Sequence, residues 1–546
     1  MSVLSRPSPL SENFMQVNAC QIGEDVPVTT TTSERRKSDK LVPALTIGFI
    51  SLFLLAAIID LPRFTTLIQN LFSAAAEQFG YFWQWLMVAN FAVALCIAAT
   101  RYGKTRMGMK TKPEIGTFRW LAMIMCTLLA GGGVFWSAAE PIYHFITPSA
   151  SYPDITGSTV EAVVPALSQS FLHWGFLAWS VLGTLATIVL MHAHHHHGIK
   201  LRPRALLFPI VGNRLENHWF GAVIDACSII AVAAGTIGPI GFLASQMGYS
   251  LEVLTGLKND MNSQLMILAV VVFICAASAA SGMDKGLQWL SRLNVIGAFA
   301  LLLAILVLGP TQFIFEQFGR AFAVYLQDMP TMSITNDNPG WNVWWTWFFW
   351  GWFIGFAPMM AIFIARISEG RTIRELVLAV AVGAPIATNF WFAALGGTGI
   401  FFELQTPGII SGPLAEAGLP AVLLATLQQL PLSWLLLPAF LVLTTTFVVT
   451  TGDSMAYSIA MVVSGDNEPD RKHRVFWAVI MGCVAAVLLL AGDGGLNALQ
   501  SFIVITAVPV SFLIAITLVT GPMAAIKMTH AQEALALAAE KELAQA

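Results

Sequence analysis

The sequence predicts an all-α membrane protein with twelve transmembrane helices, the last ten of which (spans 3 to 12) form a core of two inverted five-helix repeats. Three observations carry that prediction. The chain is 56% hydrophobic and only 11% charged, with a mean hydropathy of +0.71, whereas soluble domains spend about a quarter of their residues on charge. Apolar runs of roughly 18–25 residues, enough to cross about 30 Å of hydrocarbon, start near residues 43, 81, 118, 166, 220, 262, 293, 344, 376, 430, 474 and 499. Glycines fall in corresponding places in the third and eighth runs, five runs apart.

Residues 1–42 are polar, with TTTTTS at 28–33 and no apolar core like that of a cleavable signal peptide, and are expected to be a disordered cytoplasmic tail. Residues 43–524 hold the spans. Every even-numbered span is followed by a basic loop: Arg101, Lys104 and Arg106 after the second, Lys200, Arg202 and Arg204 after the fourth, Arg366, Arg371 and Arg374 after the eighth. Lysine and arginine accumulate on the cytoplasmic side. Both termini are therefore expected inside, in a multi-pass protein of the plasma (inner) membrane. Residues 525–546 read as a short Ala-rich cytoplasmic helix. A net charge of −3 gives no reason to expect nucleic acid. Five of the six cysteines (Cys96, Cys126, Cys227, Cys275, Cys483) lie in apolar runs without ligand spacing, so neither disulfide nor metal is expected of them.

Transporters that alternate access break two helices near mid-membrane, at corresponding positions of inverted repeats, so that freed backbone groups face a ligand. The third span holds Gly131, Gly132 and Gly133 in succession, and the eighth holds Gly351, Gly355 and Pro358. A glycine costs about 1 kcal/mol against alanine inside a helix. Packing notches are the alternative reading of any one of them.

The eighth span opens WWTWFFWGWFIGF, with five tryptophans between 344 and 352. Trp341, Trp344 and Trp345 are expected to form an interfacial belt. Trp350, Trp352, Phe353 and Phe356 lie deeper, and at 100° per residue some must face the bundle interior, opposite Trp174 and Trp179 of the fourth span. Ring faces attract a cation without N–H groups by roughly 2 kcal/mol or more when water is excluded. An aromatic cage for a quaternary ammonium is one reading; plain packing is the other.

WTWFFWGWFIGFAPMMAIFIARISEGRTIREL (345–376) resembles the signature of the betaine/carnitine/choline transporter (BCCT) family, most closely over Ala365–Glu375. Ala139-Glu140-Pro141, His173-Trp174, Asp225 and Gly452-Asp453-Ser454 also resemble its pattern, and the likeness runs from about residue 43 to 521. The resemblance implies the LeuT-like core of sodium-coupled symporters, commonly a homotrimer, importing a small zwitterion or quaternary ammonium. It places solute against Trp174, Trp179, Trp350, Trp352, Phe353, Phe356 and Gly131–Gly133. It places sodium, the coupling ion, on the carbonyl of Phe447, the hydroxyls of Thr450 and Thr451, and third-span carbonyls near Cys126 and Leu129. A second ion site keeps Thr236 but has Val232 where sodium-coupled members carry Thr. Phe353 stands where the best understood members have a second adjacent Trp, and Leu182 replaces a Tyr. The cage is thus partial, which leaves room for another zwitterion such as taurine or dimethylsulfoniopropionate, or for a sodium-independent exchanger. Threonine in a membrane helix also bonds its own i−4 carbonyl, so the hydroxyls have a structural reading beside the ionic one.

Asp453, the deepest acid, either relays a proton or caps broken backbone after Thr451, and the structural role is favoured. Glu140 is expected to cap the outer end of the third span. HAHHHH (192–197) invites comparison with the His boxes of membrane di-iron enzymes, but the other five histidines are scattered along the chain. An enzyme is therefore not expected, nor any cofactor.

Overall fold

A computed structural model describes residues 40–128, 132–149, 151–281, 286–464, 469–492 and 496–545, and within them the chain is helical, its one β-bridge joining Arg106 to Thr372. Ten helical segments are long and apolar enough to cross a bilayer, and eleven if the pair Arg292–Leu308 and Thr311–Ile334 is one span bent by 107°. That bend falls on Gly309-Pro310, where proline withholds an N–H from the helix. The expected third span is two shorter helices, Thr117–Leu128 and Val134–Ile146, either side of residues 129–131, which lie outside the described residues together with the tail 1–39. Counting these pieces as one crossing, the others in order are Leu41–Ile59, Leu61–Ala99, Val160–His197, Trp219–Thr255, Met261–Ser281, the bent pair, Pro339–Ile367, Ile373–Gln405, Ser433–Ser464, Arg471–Ala491 and Asn497–Gln545.

Three expectations are corrected. The second helix begins at Leu61, not near 81, because Asp60 accepts from the Arg63 amide and Pro62 suits the first turn, so the helix outruns its apolar stretch. The last crossing and the expected separate tail are one helix of 49 residues. The eighth crossing is not broken at its glycines: Thr346–Ile367 is continuous through Gly351, Gly355 and Pro358, and its break comes earlier, at Trp345. Gly351 is a notch for Trp83, whose ring would lie 3.0 Å from an added Cβ.

Part of the packing repeats after a shift of five crossings. The third packs on the ninth as the eighth packs on the fourth, the sixth on the tenth as the eleventh on the fifth, and the seventh on the ninth as the twelfth on the fourth. Fifth with tenth, and sixth with eleventh, map onto themselves. This is the relation two inverted five-helix units must satisfy. The first crossing stands outside it and leaves Leu52, Ile58 and Ile59 exposed, as a lipid-facing helix requires.

The segment that carries the family signature is a latch. Ile373 donates its amide to the Thr105 carbonyl (2.9 Å), Met107 to that of Arg371 (2.8 Å), and Gly370 to that of Met107 (2.8 Å), joining the loop after the eighth crossing to the loop after the second. Arg371 reaches the Ile115 carbonyl and Thr117 hydroxyl while lying over the Trp120 ring, and Arg374 reaches the carbonyls of Ala98 and Thr100. Thr372 and Glu375 form a capping box at the start of the ninth crossing. Gly108 (φ +82°) and Gly370 (φ +82°) adopt left-handed turns here that a side chain disfavours.

Candidate functional site

Where the fourth crossing breaks, its helix ends at Trp174 and a new one starts at Phe176, with Gly175 between them. A Cβ on Gly175 would lie 2.2 Å from the Phe171 carbonyl oxygen and 2.4 Å from Tyr325 Oη, while Tyr325 Oη accepts the freed amide of Phe176 at 3.1 Å. The seventh crossing thus wedges the fourth open and aims the Trp174 indole sideways. His173-Trp174-Gly175 was the signal for this break.

Trp174 meets Phe353 with ring centroids 5.3 Å apart and Trp352 at 6.0 Å, both edge to face, and Phe349 at 5.4 Å. Phe392 of the ninth crossing closes a fourth side at 5.1 Å. On the third crossing Gly132 fills the remaining gap: an added Cβ would lie 2.4 Å from Cη2 of Trp352 and 3.3 Å from that of Trp174. Trp352 donates its indole N–H to the Gly235 carbonyl of the fifth crossing (3.0 Å), beside which Phe356 also packs. Four of the expected residues, Trp174, Trp352, Phe353 and Gly132, are therefore one buried cluster. The neighbour Gly133 contributes its carbonyl to Trp391 Nε1 (3.2 Å), and Gly131 lies outside the described residues.

The other expected aromatics face elsewhere. Trp179 donates to the Thr388 hydroxyl of the ninth crossing (3.0 Å), and Trp350 is buried without a ring partner among the described residues. Across the tryptophan run each ring takes its own neighbour: Trp344 packs on Phe72 at 4.7 Å, Trp347 fills a notch at Gly80, and Trp352 joins the cluster. Trp345, expected in an interfacial belt, is buried against Tyr143 (4.5 Å) and His144 (4.6 Å). Its place at the helix break turns it inward.

Behind Trp174 stands a polar group whose arrangement composition does not disclose. Glu140 Oε2 accepts the Trp174 indole N–H at 2.8 Å, and Oε1 lies 2.6 Å from His173 Nδ1 and 3.3 Å from His144 Nε2. His173 Nε2 meets the Thr346 hydroxyl at 2.9 Å. Glu140 lies within Val134–Ile146 rather than at a helix end, so it is no cap; it fixes an indole of the fourth crossing from the third. Its signal was Ala-Glu-Pro, followed by a histidine one helical turn later.

Of the expected sodium ligands, Leu129 lies outside the described residues, and Cys126 is two residues from the end of Thr117–Leu128. In the tenth crossing the Thr450 hydroxyl bonds the carbonyls of Thr446 (2.9 Å) and Phe447 (3.0 Å) and accepts from Asn294 Nδ2 (2.8 Å). Thr451 follows on the next position, half-buried. In the fifth crossing Thr236 bonds the Val232 carbonyl at 2.8 Å. The tenth helix is unbroken at Asp453, which caps nothing: it accepts from Arg474 (3.1 Å) and Ser278 (2.8 Å), a structural ion pair with a satisfied second oxygen.

A many-span helical bundle with a sealed aromatic cluster where crossings of both repeats meet is the architecture of a solute transporter. The sequence model for BCCT, the betaine/carnitine/choline family transporter, matches residues 41–530, and the chain belongs to this family. It is 49% identical over 485 residues to glycine betaine transporter 2 of Vibrio parahaemolyticus serotype O3:K6 (strain RIMD 2210633), covering 89% of this chain and 90% of that one. It is 33% identical over 447 residues to the glycine betaine transporter OpuD of Bacillus subtilis (strain 168), covering 80% and 85%. Among solved structures, a Na+-coupled sialic acid symporter in a substrate-bound outward-open state is similar at a TM-score of 0.46 and 14% identity, over 81% of this chain and 85% of that one. The protein is a multi-pass membrane transporter and not an enzyme.

Proposed function

We propose that the protein imports glycine betaine or a closely similar quaternary ammonium zwitterion, coupled to sodium, by alternating access. One observation carries the reading: Trp174, Trp352 and Phe353 converge at 5.3–6.0 Å around Gly132, on three crossings drawn from both repeats. With centroids this close the rings fill the space themselves. A trimethylammonium group enters only if they part, and each ring face within about 6 Å then attracts it. Relatives named as glycine betaine transporters support that chemistry. The carboxylate end would take amide N–H groups at Gly131–Gly133, and Phe356, Trp350 and Trp179 would line the approach. Sodium would be held by the Phe447 carbonyl, the hydroxyls of Thr450 and Thr451 and carbonyls near Cys126 and Leu129, with Thr236 marking a second site. Thr450 already meets two carbonyl oxygens of the preceding turn, so an ion would exchange with the Asn294 amide there. The molecule would act as a homotrimer in the inner membrane with both termini in the cytoplasm, the side that carries the basic latch.

The indole missing at Phe353 favours one second reading, a zwitterion with a weaker or absent methylammonium, such as taurine or dimethylsulfoniopropionate, since Phe binds cations less well than Trp. Uptake into proteoliposomes of labelled betaine, choline, carnitine, dimethylsulfoniopropionate and taurine, with and without a sodium gradient, decides between them. Betaine uptake driven by sodium is expected. Preference for taurine would install the second reading, and uptake indifferent to sodium would remove the coupling.

A further inference from the structure

Glu140, His144 and His173 offer one ligand atom each, all within 4.8 Å of one another and all fully buried. Glu140 and His144 are four apart on one helix and so share a face, and His173 comes from the neighbouring crossing; two ligands one turn apart plus a third from another element is how helical proteins build zinc sites. The oxygen and nitrogen donors suit a transition metal. Bonds of about 2.0–2.2 Å to a tetrahedral ion set its donors about 3.3 Å apart, and Glu140 Oε1 and His144 Nε2 stand 3.3 Å apart already. The 2.6 Å contact of Oε1 with His173 Nδ1 is a hydrogen bond; an ion would take the place of its proton and open it by about 0.7 Å. His173 would then carry its proton on Nε2 and donate to the Thr346 hydroxyl now 2.9 Å away, the outer partner that a ligating imidazole needs, while the Gln169 amide nitrogen now 3.0 Å from Nε2 would turn over to present its oxygen there.

Two further features point the same way. Glu140 has no Lys or Arg partner among the described residues; Oε2 is taken by the Trp174 indole N–H, and the ionisable groups at Oε1 are imidazoles. His144 is buried with both ring nitrogens lacking a hydrogen-bond partner among the described residues, which is costly for a group serving packing alone. Trp345 and Trp341 roof the imidazole of His144 at 4.6 Å and 5.2 Å.

We propose that Glu140, His144 and His173 bind a divalent transition-metal ion of the zinc class, which ties the third crossing to the fourth directly behind Trp174. Because Glu140 also holds the Trp174 indole, a bound ion would stiffen one wall of the cage; this consequence, unlike the binding itself, rests on the transport reading above.

The test uses purified full-length protein in which His194, His195, His196 and His197 are replaced by Ala, removing the accessible imidazoles at the end of the fourth crossing. Titration with Co2+ is expected to load one equivalent with the intense visible absorption of four-coordinate cobalt, bleached by Zn2+. His144→Ala should weaken loading at least about tenfold, whereas His144→Cys should keep it and add a thiolate-to-cobalt charge-transfer band. No visible absorption, or absorption unchanged in a His144→Ala protein that keeps its elution volume and melting temperature, overturns the proposal. Should His144→Ala fail to fold, the new band in His144→Cys decides alone, and its absence overturns the proposal. Betaine binding to the metal-free protein, followed by tryptophan fluorescence, reports on the transport reading separately.

Discussion

Gly132 has no room for a methyl group, because the Cη2 atom of Trp352 occupies the position a Cβ would need, 2.4 Å away. Gly132→Ala must push that indole aside, at an overpacking cost of about 1–3 kcal/mol, and should raise the KM for solute about tenfold or more in the uptake assay. Gly397→Ala, in a ninth-crossing helix with open space at the Cβ, should leave uptake unchanged and slightly raise the melting temperature. Equal effects of the two would detach Gly132 from the cage. Trp352→Leu removes a cage wall and should abolish high-affinity uptake. Trp345→Leu leaves those rings in place but hollows a buried site against Tyr143 and His144, so its loss should be read in the melting temperature rather than in KM. At this scale much was legible: Trp174, Trp352 and Phe353 followed from helical phase and from resemblance to a family. What was hidden is which of several neighbouring indoles turns inward. Trp350 and Trp352 are two positions and about 200° apart on a helix, and Trp352 is the one received by Gly132 and the Gly235 carbonyl, residues far along the chain that share no local pattern with it.

Among the elements, the third and tenth crossings are the ones proposed above to hold sodium. Thr450→Ala with Thr451→Ala should raise the sodium concentration for half-maximal uptake several-fold while leaving expression intact, since Thr450 trades intrahelical bonds worth about 1 kcal/mol. An unchanged sodium dependence would remove both hydroxyls from the ion site and leave Thr450 to the i−4 bond that the helix already shows. Helix positions were readable because apolar length is a local property: starts expected near 118, 220, 262 and 499 fall at Thr117, Trp219, Met261 and Asn497. Helix breaks were read less well. Gly351 and Gly355 looked like a break and are packing sites, while the breaks at Trp345 and Gly175 depend on partners such as Tyr325 that lie far along the chain. The latch is an element of its own, and its acid sensitivity has a definite sign. Lys110 lies 2.8 Å from both Glu114 and Glu369, and these hydrogen bonds, that of Glu114 first, push it up to about 12. Partial burial alone would raise the Glu369 carboxyl, but the Lys110 hydrogen bond and the Met109 amide outweigh it and hold the group below its usual range. A depressed carboxyl contributes docking above its ordinary value of 4.5 and loses it as pH falls further. Amide exchange at Met107 and Gly370 should therefore quicken between about pH 5 and pH 3, modestly, because solvent screens this exposed pair. In Glu369→Gln that pH dependence should vanish.

In the whole molecule, side-chain hydrogen bonds tie the first two crossings of each repeat to one another. Glu140 links the third to the fourth, Trp391 Nε1 links the ninth to the third at 3.2 Å, Trp179 links the fourth to the ninth at 3.0 Å, and His173 with Thr346 links the fourth to the eighth at 2.9 Å. Against the fifth crossing the same unit is held by the Trp352 N–H on Gly235, at the cage itself, so that displacing this ring to admit solute also loosens the unit from its surroundings. On the transport reading proposed above, ligand entry and rigid-body motion would become one event, in which parting the rings and breaking a bond of about 1 kcal/mol would shift the balance between two orientations. The expected signature is a difference between two distances. Spin labels at Glu161 and Gln405, exposed at the near ends of the fourth and ninth crossings, should keep one distance distribution when sodium and betaine are added. A pair at Glu161 and Lys258, the latter just beyond the fifth crossing, should shift. If the first pair moves as much as the second under double electron–electron resonance, the four crossings do not travel as a body and opening is confined to individual helices.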